Sequence, residues 1–129
     1  MTKITLEGNS FTNLEGFYDE IERKLTKGYD WEFGRNLKSV KTILKGGMGI
    51  HDYGDPIEIM WKDIEKSKTH LGNKETVKYL KKQLKTCHFS ERKTVLADFE
   101  KAKKGIGKTV FDMVKELLES VDGVTLVAG

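Results

Sequence analysis

Apolar and polar residues alternate over Lys3-Ile4-Thr5-Leu6-Glu7, and the run closes on Gly8-Asn9, which predicts a first β-strand. The period then changes. Leu14, Phe17, Ile21 and Leu25 recur at helical spacing behind Thr12 and Glu15, a capping-box pair, and Gly28 supplies a stop. An aromatic segment, Tyr29-Asp30-Trp31-Glu32-Phe33-Gly34, precedes a second helix over about 36–45, with Leu37, Val40 and Leu44 as its apolar stripe and Gly46-Gly47 beyond its end. Pro56-Ile57-Glu58-Ile59-Met60-Trp61 predicts a second strand that opens on proline, where the missing N–H does least harm, and Trp61 is expected in the core.

Three further helical stretches follow. A short one is expected over 62–71, then one over 74–85 capped by Asn73 with Val77, Leu80 and Leu84 on one face. The third runs over about 91–103, with Ser90 as its cap and Val95, Leu96 and Phe99 as its apolar positions. Gly105-Ile106-Gly107 breaks the pattern. A last helix over 109–120 carries Val110, Phe111, Val114, Leu117 and Leu118, and Val124-Thr125-Leu126-Val127-Ala128 forms a last strand. Strands this far apart, each pair separated by helices, predict an α/β fold with a small three-stranded parallel sheet and right-handed crossovers. At 129 residues the chain is expected to form one domain spanning 1–129.

The single cysteine, Cys87, has no partner for an internal disulfide, so a reducing compartment is expected. The first residues reach Glu7 before any long apolar run, and nowhere does an apolar stretch approach the length of a membrane span; a cytoplasmic protein with no membrane association is expected. The net charge is +3, and its excess is regional: residues 74–108 hold eleven Lys and Arg against four Asp and Glu.

The order of elements, with an aromatic-Gly-x-Asn-Leu start to the second helix and a tryptophan closing the second strand, resembles the barstar family of intracellular ribonuclease inhibitors. The matching stretches are Ile4-Thr5-Leu6-Glu7-Gly8, Phe33-Gly34-Arg35-Asn36-Leu37, Ile57-Glu58-Ile59-Met60-Trp61, Glu65-Lys66-Ser67-Lys68, Val110-Phe111 through Glu116, and Val124-Thr125-Leu126-Val127. They fall within residues 3–68 and 107–128, so 69–106 form a helical insertion relative to that family. The resemblance implies a barstar-like fold and a protein that binds and inhibits a nuclease or toxin domain, as an immunity protein does, by covering its active site. It implies no enzymatic activity and no cofactor. In the family the second helix and the loop before it enter the nuclease site, and helix carboxylates stand in for RNA phosphates. The corresponding surface here is Phe33, Gly34, Arg35, Lys38, Lys41, Thr42 and Glu116.

The sign of that surface is reversed. Lys38 and Thr42 occupy the positions of family carboxylates, and Lys38, Lys41, Thr42 and Lys45 share one helix face by their spacing. Lysine facing a cationic nuclease site turns attraction into repulsion, at a cost of several kcal/mol. A partner with an acidic surface at this helix, or binding through the loop or the insertion, are the expectations that follow. A solvated lysine face without a role also accounts for the pattern. The free protein is expected to be monomeric.

Other constellations carry less. Gly105-Ile106-Gly107-Lys108-Thr109 looks like the end of a P-loop, but Ala102 stands where the first glycine is required and the preceding segment is helical, so a linker and a helix start are expected. His51, His70 and His88 show no metal-ligand spacing, and nothing adjacent to Cys87 would activate it as a nucleophile. Tyr29, Trp31, Phe33 and Tyr53 are either partner anchors or a lid over the core. The lysine-rich stretch 74–108 gives a competing expectation, a nucleic-acid-associated basic module with weak, salt-sensitive binding; it lacks the aromatic interleaving of a single-strand binder, and an exposed pair of amphipathic helices also explains it.

Overall fold

The computed structural model describes residues 2–25, 36–45 and 54–129. Three strands, β1 (Thr2–Glu7), β2 (Ile57–Lys62) and β3 (Val124–Ala128), form one parallel sheet in the order β1-β2-β3. Helices α1 (Leu14–Leu25) and α2 (Leu37–Leu44) connect β1 to β2. Helices α3 (Ile64–His70), α4 (Asn73–Thr86), α5 (Arg92–Lys103) and α6 (Val110–Ser120) connect β2 to β3, with a 3-10 turn, Phe89–Glu91, before α5. This α/β architecture is consistent with a barstar-like fold.

Two crossovers of one hand that advance in one direction deliver their helices to the same face of a sheet. Accordingly α1 packs on β1, α6 on β3, and α2 lies against both helices. Among the described residues only that face is covered. Ile4, Leu6, Ile57, Ile59 and Trp61 point into the core, while Lys3, Thr5, Glu58, Met60, Lys62 and Thr125 alternate with the core-facing positions on the other side and are half-buried or exposed. Lys3 pairs with Glu58 across two strands at 3.8 Å. This one-sided burial explains why the first two strands read as alternating rather than as the continuous apolar runs of a sheet covered on both faces.

The core closes around Trp61 on the central strand. Its ring stacks on Phe17 of α1 (centroids 6.1 Å apart, 23° between planes) and meets Phe111 of α6 at 5.5 Å. Its indole Nε1 donates to Ser67 Oγ of α3 at 2.9 Å, so the one polar atom of a fully buried ring is satisfied. Gly8 sits against this corner. Its N–H donates to Lys62 O at 2.9 Å, and a Cβ there would lie 2.5 Å from Lys62 O, 2.7 Å from Asp63 O and 2.8 Å from Ser67 Oγ. The glycine after β1 therefore allows the backbone to meet the β2–α3 turn.

Helix starts depart from the sequence expectations in three places, at α1 and α5 because a different side chain reaches the free amides and at α4 because a glycine takes the cap position. Asn13, not Thr12, caps α1, its Oδ1 accepting from Gly16 N at 2.8 Å. Gly72 precedes α4, and Asn73 lies inside the helix with its Nδ2 donating to Gly105 O at 3.4 Å. His88 Nδ1, rather than Ser90, accepts at the 3-10 turn that introduces α5. Pro56 lies just before β2 rather than within it. The expected stop at Gly28 and the glycines 46–47 lie outside the described residues.

The insertion is part of the fold. Four amides at the start of α6 need partners outside the helical ladder, and all four have them. Thr109 N and Asp112 N are satisfied by the reciprocal Thr109–Asp112 capping box. Val110 N donates to Thr76 Oγ1 of α4 at 2.8 Å, and Phe111 N to Leu71 O at 2.9 Å. The residue before Thr76 serves α1 instead: Glu75 Oε1 accepts from Leu14 N, the first amide of that helix, at 3.1 Å. Neighbouring side chains of α4 thus cap two helices of the core.

Two substitutions test this account. Gly8→Ala forces a Cβ against backbone oxygens and is expected to cost about 1–3 kcal/mol in urea unfolding. Thr76→Val leaves the buried Val110 amide without an acceptor and is expected to cost about 1–3 kcal/mol, with Thr76→Ser recovering most of it.

Candidate functional site

Helix α2 is short and well fixed. Asn36 caps it, Oδ1 accepting from Ser39 N at 2.8 Å and the carbonyl from Val40 N at 3.3 Å. Val40, Ile43 and Leu44 are buried and Leu37 is half-buried; Ile43 joins the apolar stripe read from the sequence. With that stripe packed inward, Lys38, Lys41, Thr42 and Lys45 all lie in solvent, as their spacing predicts. The Thr42 hydroxyl donates back to Lys38 O at 3.2 Å, so its donor is already engaged within the helix. Phe33, Gly34 and Arg35 lie outside the described residues, as do Tyr29, Trp31, His51 and Tyr53.

Lys41 and Lys45 border a shallow opening toward Gly54 and the end of α6, where Ser120, Val121 and Asp122 form the opposite wall. Glu116 lies one helical turn before Ser120 and so on the same side of α6. Its carboxylate is exposed and accepts from Lys108 Nζ at 2.9 Å, and this contact raises the Lys108 pKa above its ordinary value. The structure therefore brings Lys41 and Lys45 beside the C-terminal end of α6, and couples Glu116, one turn earlier on that helix, to the linker before α6. That linker is no phosphate cradle. Ala102 is still helical, Gly105 and Gly107 take positive φ to turn the chain, Lys108 reaches Glu116, and Thr109 caps α6.

A second concavity, of about 270 Å³, lies between α1, α4 and the start of α2. Leu14, Tyr18, Asn36, Glu75, Tyr79 and Gln83 line it. Burial pushes the Tyr18 phenol well above the ordinary tyrosine pKa, with neighbouring Tyr79 and Glu15 adding to the effect, and burial raises Tyr79 as well. This groove had no sequence expectation. Tyr18 sits beside Phe17, one position off the predicted stripe, and Tyr79 lies off the apolar face of α4; the spacing Glu75, Tyr79, Gln83 on one helix side was the available signal.

Among the described residues no group of three or more His, Cys, Asp or Glu side chains gathers as a metal site, and no described helix is long and apolar enough to cross a membrane. Cys87 is half-buried, and His88 spends its Nδ1 on the turn before α5.

The buried tyrosines give a pH dependence with a definite sign. A phenol whose folded pKa is raised stabilises the fold fully below the unfolded value near 10 and loses that contribution as the pH climbs through the folded value. Stability measured by urea unfolding is expected to fall as the pH rises above about 10. Tyr18→Phe is expected to flatten part of that fall, and absorbance titration of the folded protein should show this phenol ionising last.

No family model matches the chain. A Bacillus subtilis (strain 168) protein named "Putative ribonuclease inhibitor YrdF" is 32% identical to it over 73 residues, which span 57% of this chain and 72% of that relative. With that identity across more than two-thirds of the relative's length, the chain belongs to the family of YrdF.

Proposed function

We propose that the chain is a protein inhibitor of a ribonuclease, or of the nuclease domain of a toxin, acting in the cytoplasm by covering the enzyme's active site. The observation that carries this reading is the relationship to a protein named as a ribonuclease inhibitor, together with the barstar-like architecture. The contact surface we propose is the one expected from the sequence: Phe33, Gly34 and Arg35 before α2, Lys38, Lys41 and Thr42 on it, and Glu116 on α6. In its support, α2 is capped, packed on its apolar side, and presents Lys38, Lys41 and Thr42 to solvent. A helix already held by its cap and its packing loses little conformational entropy on association.

Charge sets the class of partner. Ammonium groups at Lys38, Lys41 and Lys45 would oppose a row of enzyme cations, so the enzyme face that meets α2 carries carboxylates, and Glu116 meets a cation at the margin. The pair Lys108–Glu116 is exposed at both ends and is worth little by itself, so exchanging Lys108 for an enzyme cation costs little.

Calorimetric titration of the purified chain into ribonucleases of its own cell, without RNA, tests the reading. Saturable one-to-one binding is expected, with RNA hydrolysis lost in proportion to the complex formed. Lys38→Glu/Lys41→Glu is expected to weaken binding by about tenfold or more, because reversing a charge opposite carboxylates costs well over 1 kcal/mol. Binding unchanged in the double variant would move the interface away from α2; absence of binding to any ribonuclease of that cell would overturn inhibition.

A further inference from the structure

Charge is divided between two parts of this chain. Residues 74–108 carry eleven Lys and Arg against four Asp and Glu, a net +7; the remainder carries twelve against sixteen, a net −4. The helix α4 concentrates the positive part. Its apolar side, with Val77, Leu80 and Leu84, turns toward the core and α5, and its Glu75, Tyr79 and Gln83 side turns to the groove on α1. An exposed arc of about 100° holds Lys74, Lys78, Lys81, Lys82 and Lys85, of which Lys78 and Lys82 also border the groove, where Glu15 lies. No acidic residue interrupts that arc, since the one carboxylate of α4, Glu75, is spent on the Leu14 amide. None of the five lysines has an ion pair among the described residues.

The row has a length and an end. From Lys74 to Lys85 it runs about 17 Å, with an ammonium every one helical turn or so, about 5–6 Å. Just beyond Lys85 the chain turns, and at that turn stands Phe89, 89% exposed. The turn is braced: Arg92 Nη1 donates to Leu84 O at 2.8 Å, closing the end of α4, and His88 Nδ1 holds the Ser90 amide. Phe89 is therefore an aromatic ring kept in solvent at a braced turn, four residues beyond the last lysine of the row. An acidic protein surface would use the cations and leave the ring idle. A nucleic-acid strand uses both, because its phosphates repeat along a line and its unpaired bases stack on an aromatic face.

We propose that the lysine row of α4, ended by Phe89, binds the phosphate backbone of a single-stranded nucleic acid, with one base stacked on the Phe89 ring. This surface lies on the insertion, apart from α2, and stands or falls independently of the inhibitor reading. It gives the chain two faces of different task, one for an enzyme and one for a polyanion of the kind such an enzyme cuts.

Fluorescence anisotropy of a labelled oligouridylate of about twelve nucleotides tests it, within the site sizes of known single-strand binders. Binding at low salt is expected to weaken as salt rises with a log–log slope near 3, from about 0.7 for each of four or five phosphates. Lys78→Glu/Lys81→Glu/Lys85→Glu is expected to lower both the affinity, by about tenfold or more, and the slope. Phe89→Ala is expected to lower the affinity by about tenfold and leave the slope unchanged, since stacking releases no counterions. All four residues are exposed, and circular dichroism would verify that each variant keeps its fold. Absence of binding at low salt, or equal binding by the triple-lysine variant, would overturn the proposal. So would equal affinity for duplex RNA with no effect of Phe89→Ala, or capture on phosphatidylserine vesicles that oligouridylate does not displace.

Discussion

Burying the Trp61 indole obliges the chain to provide an acceptor for Nε1 in a place water does not reach, and much of the molecule is arranged around that acceptor. The largest fully buried side chain sits on the central strand, so every layer meets it: Phe17 from α1, Phe111 from α6, and Ser67 from α3. Holding Ser67 Oγ under the ring requires α3 to begin immediately after β2. Asp63 makes that turn in the left-handed region, φ 55°, and its carboxylate accepts from Asn9 Nδ2 at 2.7 Å. Gly8 leaves the space into which the turn fits. The hydrogen bond itself contributes about 1 kcal/mol; its absence would leave a buried donor unpaired at a larger cost, which is why a local sequence from Gly8 to Asn9 and another from Asp63 to Ser67 are bound together.

A second constraint comes from helix ends. An α6 buried at its N-terminus cannot leave four amides to solvent, and α4 supplies one of the partners through Thr76 while Glu75 serves α1. A carboxylate at the first amide of α1 also meets the positive end of that helix's dipole. Residues that read as an insertion are thus bonded to helices on both sides of the sheet order. The basic exterior of α4 is carried on a helix that the fold cannot release, which gives a charged row a fixed geometry instead of a flexible tail.

The same rigidity bears on α2. Its polar side is solvent-facing because Val40, Ile43 and Leu44 are committed inward, so the sign of the surface offered to a partner is set by Lys38, Lys41 and Lys45 and cannot be altered by rotation of the helix. Three ammonium groups on one exposed helix face favour contact with carboxylates and oppose contact with cations.

Periodicity alone disclosed the three strands, the apolar stripes of α1, α2, α4 and α6, and the shared helix face of Lys38, Lys41 and Thr42, because each is a property of residues within one element. It also disclosed the Thr109 helix start, where the cap lies next to the helix it closes. What tertiary structure decided are the relations between elements far apart in the chain. Glu20 looks like a surface charge on α1, yet it is fully buried, its two oxygens held by Arg23 at 2.8 Å and by the Ser10 hydroxyl. Asn13 displaced Thr12 as a cap because its side chain reaches the Gly16 amide, and Asn73 lies inside α4 with its side chain turned to Gly105 O. The groove of Tyr18 and Tyr79, and the double capping by Glu75 and Thr76, join residues about sixty and about thirty-five positions apart, where spacing holds no information. The order of hydrophobic residues chooses the elements through local burial; only their packing against one another decides which polar atoms are sealed from water and must therefore find a partner.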